Sequence, residues 1–462
     1  MKILILGAGQ VGSNAANILS QEAKHEVTIV DVDANVLANL QDRYDIRTVV
    51  GSASLPHVLD EAGAKETDII IAVTSSDEVN MIACQLAHTL FNVRLKIARI
   101  RSQSYIEYAD IFGHELEKAF NIDVIISPEI LVKERLKNII NLPGAQQVLR
   151  FDRGRVLIVA AEAEEGGRLV GSPIKNLPNH LPNIDVRIVA IFRGDEALEL
   201  SGETVIHEGD EVYYLCPQKH AKLVMAEIRP STKIAKKVMI AGGGNIGYRL
   251  ASALEDDLRV KIIEIDKKSA ARLTSHLKNA LVLNGDCTDE SLLYEENIDQ
   301  IDVYCAVTED EQTNILSSML AKRLGAKRVI TLINRSAFVD LVENESNIDI
   351  AFSPQQVTLG VLLTYIRKGD VVQLYSLGTG DLEAIELVAH GTPETSKIIG
   401  RVVDEIDWPE GITLAGIIRR QQVIVSHRTS MIEENDHMIF FISNKQSIPD
   451  LEFLCQIKGN ND

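Results

Sequence analysis

The chain of 462 residues contains no apolar run approaching the ~18 residues that a membrane-spanning helix requires. Its opening, MKILIL, is too short for the apolar core of a secretory signal and runs straight into a glycine loop. A cytosolic compartment is therefore expected. The five cysteines, Cys84, Cys216, Cys287, Cys305 and Cys455, form no C-x-x-C pair. Neither a disulfide framework nor a structural zinc site is expected. Positive charge is in deficit: 47 Lys and Arg against 66 Asp and Glu leave a net charge of −19. That balance argues against nonspecific nucleic-acid binding and against docking on anionic lipid. There is also no G-x-S-x-G, H-E-x-x-H or Walker lysine signature. His180, His207 and His220 keep no fixed spacing to an acid or a cysteine, and read as surface or packing residues.

What is present begins at residue 2. Lys2 to Leu6 is an apolar run bounded by glycine, as in a buried parallel strand. Gly7-Ala8-Gly9-Gln10-Val11-Gly12 is G-x-G-x-x-G, and Val11 to Leu19 reads as a helix. Gly7 permits the tight turn, Gly9 lets a pyrophosphate approach the backbone, and Gly12 allows close packing of helix on strand. N–H groups at a helix start, with the helix dipole, attract phosphate. A second apolar run, Val27 to Val30, ends on Asp31. A carboxylate there accepts from both ribose hydroxyls and repels a 2′-phosphate, which favours NAD(H) over NADP(H).

The pattern then repeats. Strands are predicted at Arg47–Val50, Asp68–Thr74, Leu95–Arg101 and Val124–Ile126, and helices at Ala34–Arg43, Pro56–Ala62, Asp77–Phe91 and Tyr105–Ala119. Alternation of this kind means a doubly wound parallel sheet of Rossmann type. Ligands sit beyond the carboxyl ends of its strands, which carry Gly51, Thr74, Ser75 and Arg99. Past Leu142-Pro143-Gly144, strands at Val156–Ala161, Val186–Arg193 and Glu211–Cys216, with a helix at Ser172–Leu177, suggest a small α+β domain.

The whole arrangement recurs after Arg229-Pro230. Gly242-Gly243-Gly244-Asn245-Ile246-Gly247 repeats the glycine loop, and Glu264 answers to Asp31. Ala306-Val307-Thr308-Glu309 answers to Ala72-Val73-Thr74-Ser75, and Asn314 to Asn80. The expected architecture is thus α/β, a tandem duplication of a Rossmann domain followed by a small α+β domain. The expected boundaries are 1–130, 145–228, 236–355 and 370–456. Arg101 aligns with Arg335 and Arg99 with Ile333, so the first cleft carries a cation that the second lacks. Two nucleotide clefts without visible chemistry suggest a ligand sensor. An NAD-dependent oxidoreductase is the alternative, and a catalytic acid or base would mark it.

The sequence closely resembles the TrkA family, the cytosolic regulatory subunits of bacterial Trk potassium uptake systems. The resemblance rests on GAGQVG, GGGNIG, IVDVD, AVTSSDE, IARIRS, LPGAQQV, HEGDEVYYL, SMLAKRLGAK and NIDIAFSPQQ, which run over nearly all of the chain. It implies two RCK units, each a Rossmann domain plus a TrkA-C domain, and no enzymatic activity. It implies regulation of a membrane potassium transporter of TrkH or TrkG type, from its cytoplasmic face, by NAD(H), with ATP or ADP as competing ligands. It further implies a ring, as a homotetramer. Carried over to this sequence, nucleotide contacts fall on Gly7, Ala8, Gly9, Gln10, Val11, Asp31, Thr74, Ser75 and Arg99. In the second half they fall on Gly242, Gly243, Gly244, Asn245, Ile246, Glu264, Thr308 and Glu309.

Overall fold

The structure, a computed structural model, describes all residues except 22–24, 114–118, 195, 336–337, 340, 343–346, 368–370, 378–381, 421, 426–428 and 457–462. Met1–Leu131 with Val357–Leu362 form one compact unit, and the remaining described residues form a second.

In the first unit the apolar runs become parallel strands β1 (Lys2–Leu6), β2 (Glu26–Asp31), β3 (Arg47–Val50), β4 (Ile69–Ala72), β5 (Leu95–Arg99) and β6 (Val124–Ile126). They order as β3-β2-β1-β4-β5-β6. Ile3 to Leu6 and Ile69 to Ala72 are buried, as strands covered on both faces must be. The order reverses between β1 and β4, the crevice where such sheets bind ligands. Helix Gln10–Ser20 follows β1, and helix Asp77–Phe91 follows β4. Ser76 caps the latter by accepting from the Val79 N–H at 3.2 Å.

The second unit holds three sheets. The first is antiparallel: β7 (Ala145–Phe151), β8 (Val156–Glu162), β9 (Arg187–Arg193), β10 (Glu196–Ala197) and β11 (Glu211–Pro217), in the order β10-β9-β11-β8-β7. The second repeats the Rossmann sheet with β12 (Lys237–Ala241), β13 (Arg259–Glu264), β14 (Leu281–Asn284), β15 (Val303–Ala306), β16 (Val329–Leu332) and β17 (Ile350–Phe352), in the order β14-β13-β12-β15-β16-β17. The third is antiparallel: β18 (Val371–Leu377), β19 (Leu382–Val388), β20 (Ile412–Arg419), β21 (Gln422–Val425) and β22 (His437–Ile442), in the order β18-β19-β22-β20-β21. The two antiparallel sheets share one topology. They also share an internal staple: Arg193 Nε donates to Asp210 Oδ1 at 2.8 Å, and Arg419 Nε to Asp436 Oδ1 at 2.7 Å. Bidentate pairs of this kind fix a hairpin by geometry as well as charge.

These two sheets pack on each other. Leu149, Phe151, Ile158, Tyr213 and Leu215 meet Leu377, Ala415, Ile439 and Phe441 in one buried cluster. Phe151 meets Tyr375 edge-on at 5.3 Å, and Tyr213 meets Phe441 at 5.0 Å. Such aromatic pairs add about 0.5–1.5 kcal/mol beyond the area they bury. The Tyr375 hydroxyl donates to the Arg150 carbonyl at 2.8 Å and so pins the seam.

Two local expectations need correction, and two elements carried no expectation. The helix expected at Tyr105–Ala119 is only a turn at Gln103–Ile106 and a 3-10 turn at Ala109–Ile111. Gly113, at φ 132°, leaves helical space, and Phe112 bridges to Phe120; residues 114–118 lie outside the described residues. The helix expected at Ser172–Leu177 is a 3-10 turn at Ile174–Asn176 followed by a helix at Leu177–His180. Pro173 stays extended at φ −62°, ψ 144° and delays the start. Strand β7 and helix Ala221–Ile228 were not anticipated. In β7 the adjacent Gln146 and Gln147 interrupt the alternation, and the register shifts between Ala145 and Gln147.

Candidate functional site

The glycine loop after β1 is shaped by what touches it. Gly7 sits at φ 107°, and a Cβ there would lie 2.8 Å from the Thr74 nitrogen. A Cβ on Gly12 would lie 1.9 Å from the Gly7 carbonyl oxygen. Neither position accepts a side chain. Gly9 differs: nothing lies within 4 Å of its Cβ position, so the loop is open on that side. Helix Gln10–Ser20 starts there, aiming its first-turn N–H groups outward. Gly9 and Gln10 are exposed, whereas Ala8 and Val11 are buried.

Asp31 is tied to this loop. Its Oδ2 accepts from the Ala8 N–H at 2.6 Å, and its Oδ1 accepts from the Asp33 N–H at 2.9 Å. Each carboxylate oxygen keeps acceptor capacity for a diol. The next residue, Val32, is 72% exposed, an apolar platform beside the acid. The Gly51 N–H donates to the Asp31 carbonyl at 2.8 Å, so the end of β3 borders the same place.

On the other flank Asn80 is fully buried. Its Oδ1 accepts from the Thr74 N–H at 2.9 Å and from the Thr74 hydroxyl at 2.7 Å. Its Nδ2 donates to the Arg99 carbonyl at 2.9 Å. The Arg99 guanidinium donates to the Thr74 carbonyl at 2.8 Å, while its Nε is buried without a partner. Burial, and then the neighbouring Arg101, lower the Arg99 pKa. Arg101 itself reaches the Ser75 carbonyl. An anion against Arg99 would relieve both the burial and the repulsion. Contacts thus run unbroken from Asp31 through Ala8, Gly7 and Thr74 to Arg99.

The second copy is built alike. Gly242 sits at φ 103°, its Cβ position 2.9 Å from the Thr308 nitrogen, and a Cβ on Gly247 would lie 1.9 Å from the Gly242 carbonyl oxygen. Gly244 is open, and Asn245 and Ile246 begin helix Asn245–Leu254. Asn314 Oδ1 accepts from the Thr308 N–H at 2.8 Å and from its hydroxyl at 2.7 Å. Glu309 is exposed at the cleft rim.

Besides the exchange of Ser75 for Glu309 at the rim, two further differences stand out between the clefts. Glu264 is one methylene longer than Asp31, and Gly243 replaces Ala8. Glu264 Oε2 accepts from the Gly243 N–H at 2.8 Å, and a Cβ on Gly243 would lie 2.8 Å from that same oxygen. The longer acid and the missing methyl therefore go together. The second difference corrects the alignment. Arg99 pairs across the sheet with Ile126, and Leu332, not Ile333, pairs with the matching Phe352. Asn314 Nδ2 accordingly donates to the Leu332 carbonyl at 3.0 Å. From the start of the helix to this strand end the second copy is one residue shorter, Glu311 to Leu332 against Asp77 to Arg99. The second cleft has a buried leucine where the first has an arginine.

The sequence matches the family model of the TrkA-N domain at residues 3–128 and again at 238–354, and that of the TrkA-C domain at 149–229. It is 47% identical to the Trk system potassium uptake protein TrkA of Halomonas elongata, over 99% of both chains. The chain belongs to the TrkA family. A TrkA of Vibrio alginolyticus is 46% identical over 99% of both chains. TrkA homolog 1 of Methanosarcina mazei is 30% identical over 96% of this chain and 97% of its own. Among solved structures, the GsuK RCK domain superposes with a TM-score of 0.62 at 17% identity, covering 98% of this chain and 95% of that one. The GsuK channel bound to NAD gives 0.60 at 16%, covering 98% and 79%. At these identities the likeness shows the fold. TrkA membership places the chain among components of potassium uptake, and not among the oxidoreductases that share its glycine signature.

The sequence reading assigned no role to Asn80, Asn314, Val32 or Ile265. The asparagines stand six residues after Thr74 and Thr308 in both halves, which was a usable signal. Ile265, 70% exposed, repeats Val32.

Proposed function

We propose that the chain is a nucleotide-sensing regulatory subunit that gates a potassium transporter of TrkH or TrkG type. The observation that carries this reading is the duplicated cradle of open glycine loop and loop-tied acid, Gly9 with Asp31 and Gly244 with Glu264. NAD(H) is the ligand that the acids fit, with the ribose diol on the carboxylate, the pyrophosphate at the helix start and the base over Val32 or Ile265. ATP and ADP compete, and Arg99 favours the more highly phosphorylated of them in the first cleft. The contacts are those named from the sequence, and Leu332, not Ile333, is the second cleft's counterpart of Arg99.

Four copies of the chain, each with domains at 1–130, 145–228, 236–355 and 370–456, assemble as a homotetrameric ring on the cytoplasmic face of the transporter. Exposed apolar side chains support assembly through the helix Asp77–Phe91, which carries Ile82 and Leu90. No helix among the described residues is long and apolar enough to cross a membrane. Attachment therefore runs through the partner. Nucleotides that prefer different ring shapes shift the pore between closed and open, each only by its differential affinity. Calorimetric titration with NADH, ATP and ADP tests the reading. Binding at micromolar to millimolar concentration is expected, and absence of binding for all three would reduce the chain to a scaffold.

A further inference from the structure

The second unit contains a cleft of about 1930 Å³ between the first antiparallel sheet, the segment around Arg229–Ala235 and the wall formed by β15 to β17. Its lining includes no residue of either glycine loop. The wall aspartates are already matched. Asp302 accepts from Lys327 Nζ at 2.5 Å and from the Lys236 N–H at 2.7 Å. Asp349 accepts from Lys322 Nζ and the Val329 N–H, both at 2.7 Å. Arg323, at the rim, is engaged by Glu290 at 3.0 Å. The lining as a whole carries seven Lys and Arg side chains against four carboxylates, and Arg229, Lys233 and Arg328 lie on the side of Glu162 and Glu211.

The cations outnumber the carboxylates even so. Arg229 is flanked by Glu162 at 3.5 Å and, from outside the lining, by Glu164 at 3.8 Å. Glu211 stands opposite Glu162 across the strand pair, and burial, then the Glu162 charge, raise its pKa. Arg328 donates to the Ala145 carbonyl. Burial pushes its pKa down to about 10; Asp349 opposes that shift, and Arg229 adds to it. Two guanidinium groups within each other's field in a cleft recreate the arrangement that phosphate recognition uses. In a chain of net charge −19 such a cationic hollow is a local exception. The rest of the lining suits an organic body. Leu316 and Met319 offer exposed apolar surface, and the Oε1 atoms of Gln146 and Gln147 are buried without donors.

We propose that this cleft binds a phosphorylated small organic anion, its phosphate held by Arg328 and Arg229 and steered in by Lys233. The site is a third ligand input, independent of the two glycine loops. A ligand there touches the first antiparallel sheet and the second Rossmann sheet together, and so biases how these two pack.

The test uses the full chain with both loops plugged by Gly9→Asp and Gly244→Asp, two positions with open space for a side chain. Inorganic pyrophosphate is the probe, read by calorimetry at low salt. The plugged chain is expected to bind one pyrophosphate. Adding Lys233→Glu, at an exposed position, should weaken it about tenfold, and adding Arg229→Gln should weaken it further, with unchanged melting temperature for the Lys233 variant. Loss of all binding in the plugged chain, or binding indifferent to Lys233 and Arg229, overturns the proposal. A polyglutamate peptide that binds more tightly than pyrophosphate and loses to the same substitutions would assign the cleft to an acidic partner segment and would also overturn it.

Discussion

The coupled pair Gly243 and Glu264 allows the cleft geometry to be tested quantitatively. Gly243→Ala places a methyl 2.3 Å from Leu273 Cδ1, 2.8 Å from Glu264 Oε2 and 3.2 Å from Glu264 Cβ. Leu273 Cδ1 is the free end of a side chain, and the matching Leu40 coexists with Ala8 in the first copy. The carboxylate cannot yield without giving up the Gly243 N–H at 2.8 Å. The single substitution should therefore cost about 1–3 kcal/mol, as overpacking generally does. Glu264→Asp alone draws the carboxylate back from a loop that carries no methyl. It should cost roughly 1.5–3 kcal/mol for a hydrogen bond to a charged group. Together they recreate the Ala8–Asp31 arrangement, where the bond is 2.6 Å. The double variant should fall short of the sum by at least about 1 kcal/mol, within the range measured for residues in contact. Hydrogen exchange of the backbone amides around Gly243 reports the local opening free energy. A loss of 1–3 kcal/mol appears as about 5- to 150-fold less protection. Strict additivity, or an alanine that leaves protection untouched, would refute the argument that the acid and the missing methyl are matched.

Other consequences are as direct. Asp31→Ala should weaken NADH binding by roughly 1.5–3 kcal/mol, and should weaken a ligand held mainly by its phosphates less; equal losses in calorimetry would remove the ribose role. Arg99→Ala should lower ATP affinity more than NADH affinity, and an unchanged ATP titration would reject the phosphate contact. For Asp210, burial alone would raise the pKa, but the Arg193 guanidinium and the His207 N–H outweigh it and hold the carboxyl below its ordinary value. Its stabilising contribution is thus complete above the unfolded carboxylate pKa of roughly 3.9 and is lost as pH falls through the lower folded value. Thermal melts between neutral pH and pH 3 should show a shallower acid limb for Asp210→Asn than for the parent chain.

Much of the fold was legible because buried parallel strands leave an unmistakable trace. Ile3 to Leu6 and Ile69 to Ala72 read as continuous apolar runs since both faces are covered. The glycine loops were legible for a steric reason, since Gly7 and Gly12 stand where backbone leaves no room for a Cβ. The duplication followed from motif order alone. Edge strand β7 was not legible, because a register shift and two glutamines erase its alternation. The Arg99 counterpart was misplaced by one residue, because the second copy is one residue shorter up to the end of β16 and regains it further along the chain, and only the sheet register exposes this. The matching of Gly243 with Glu264 needs three-dimensional contact, since 21 residues separate the partners. The cationic cleft draws Arg135, Arg229 and Arg328 from distant segments, and nothing in their spacing connects them.

On the proposed function, nucleotide occupancy of these cradles sets potassium flux through a membrane partner. The decisive experiment is potassium flux through the partner reconstituted with this chain, with NADH, ATP and ADP added in turn. Flux should change with the nucleotide supplied, and the change should weaken for Asp31→Ala. Flux that ignores every nucleotide while calorimetry shows them bound would contradict the account.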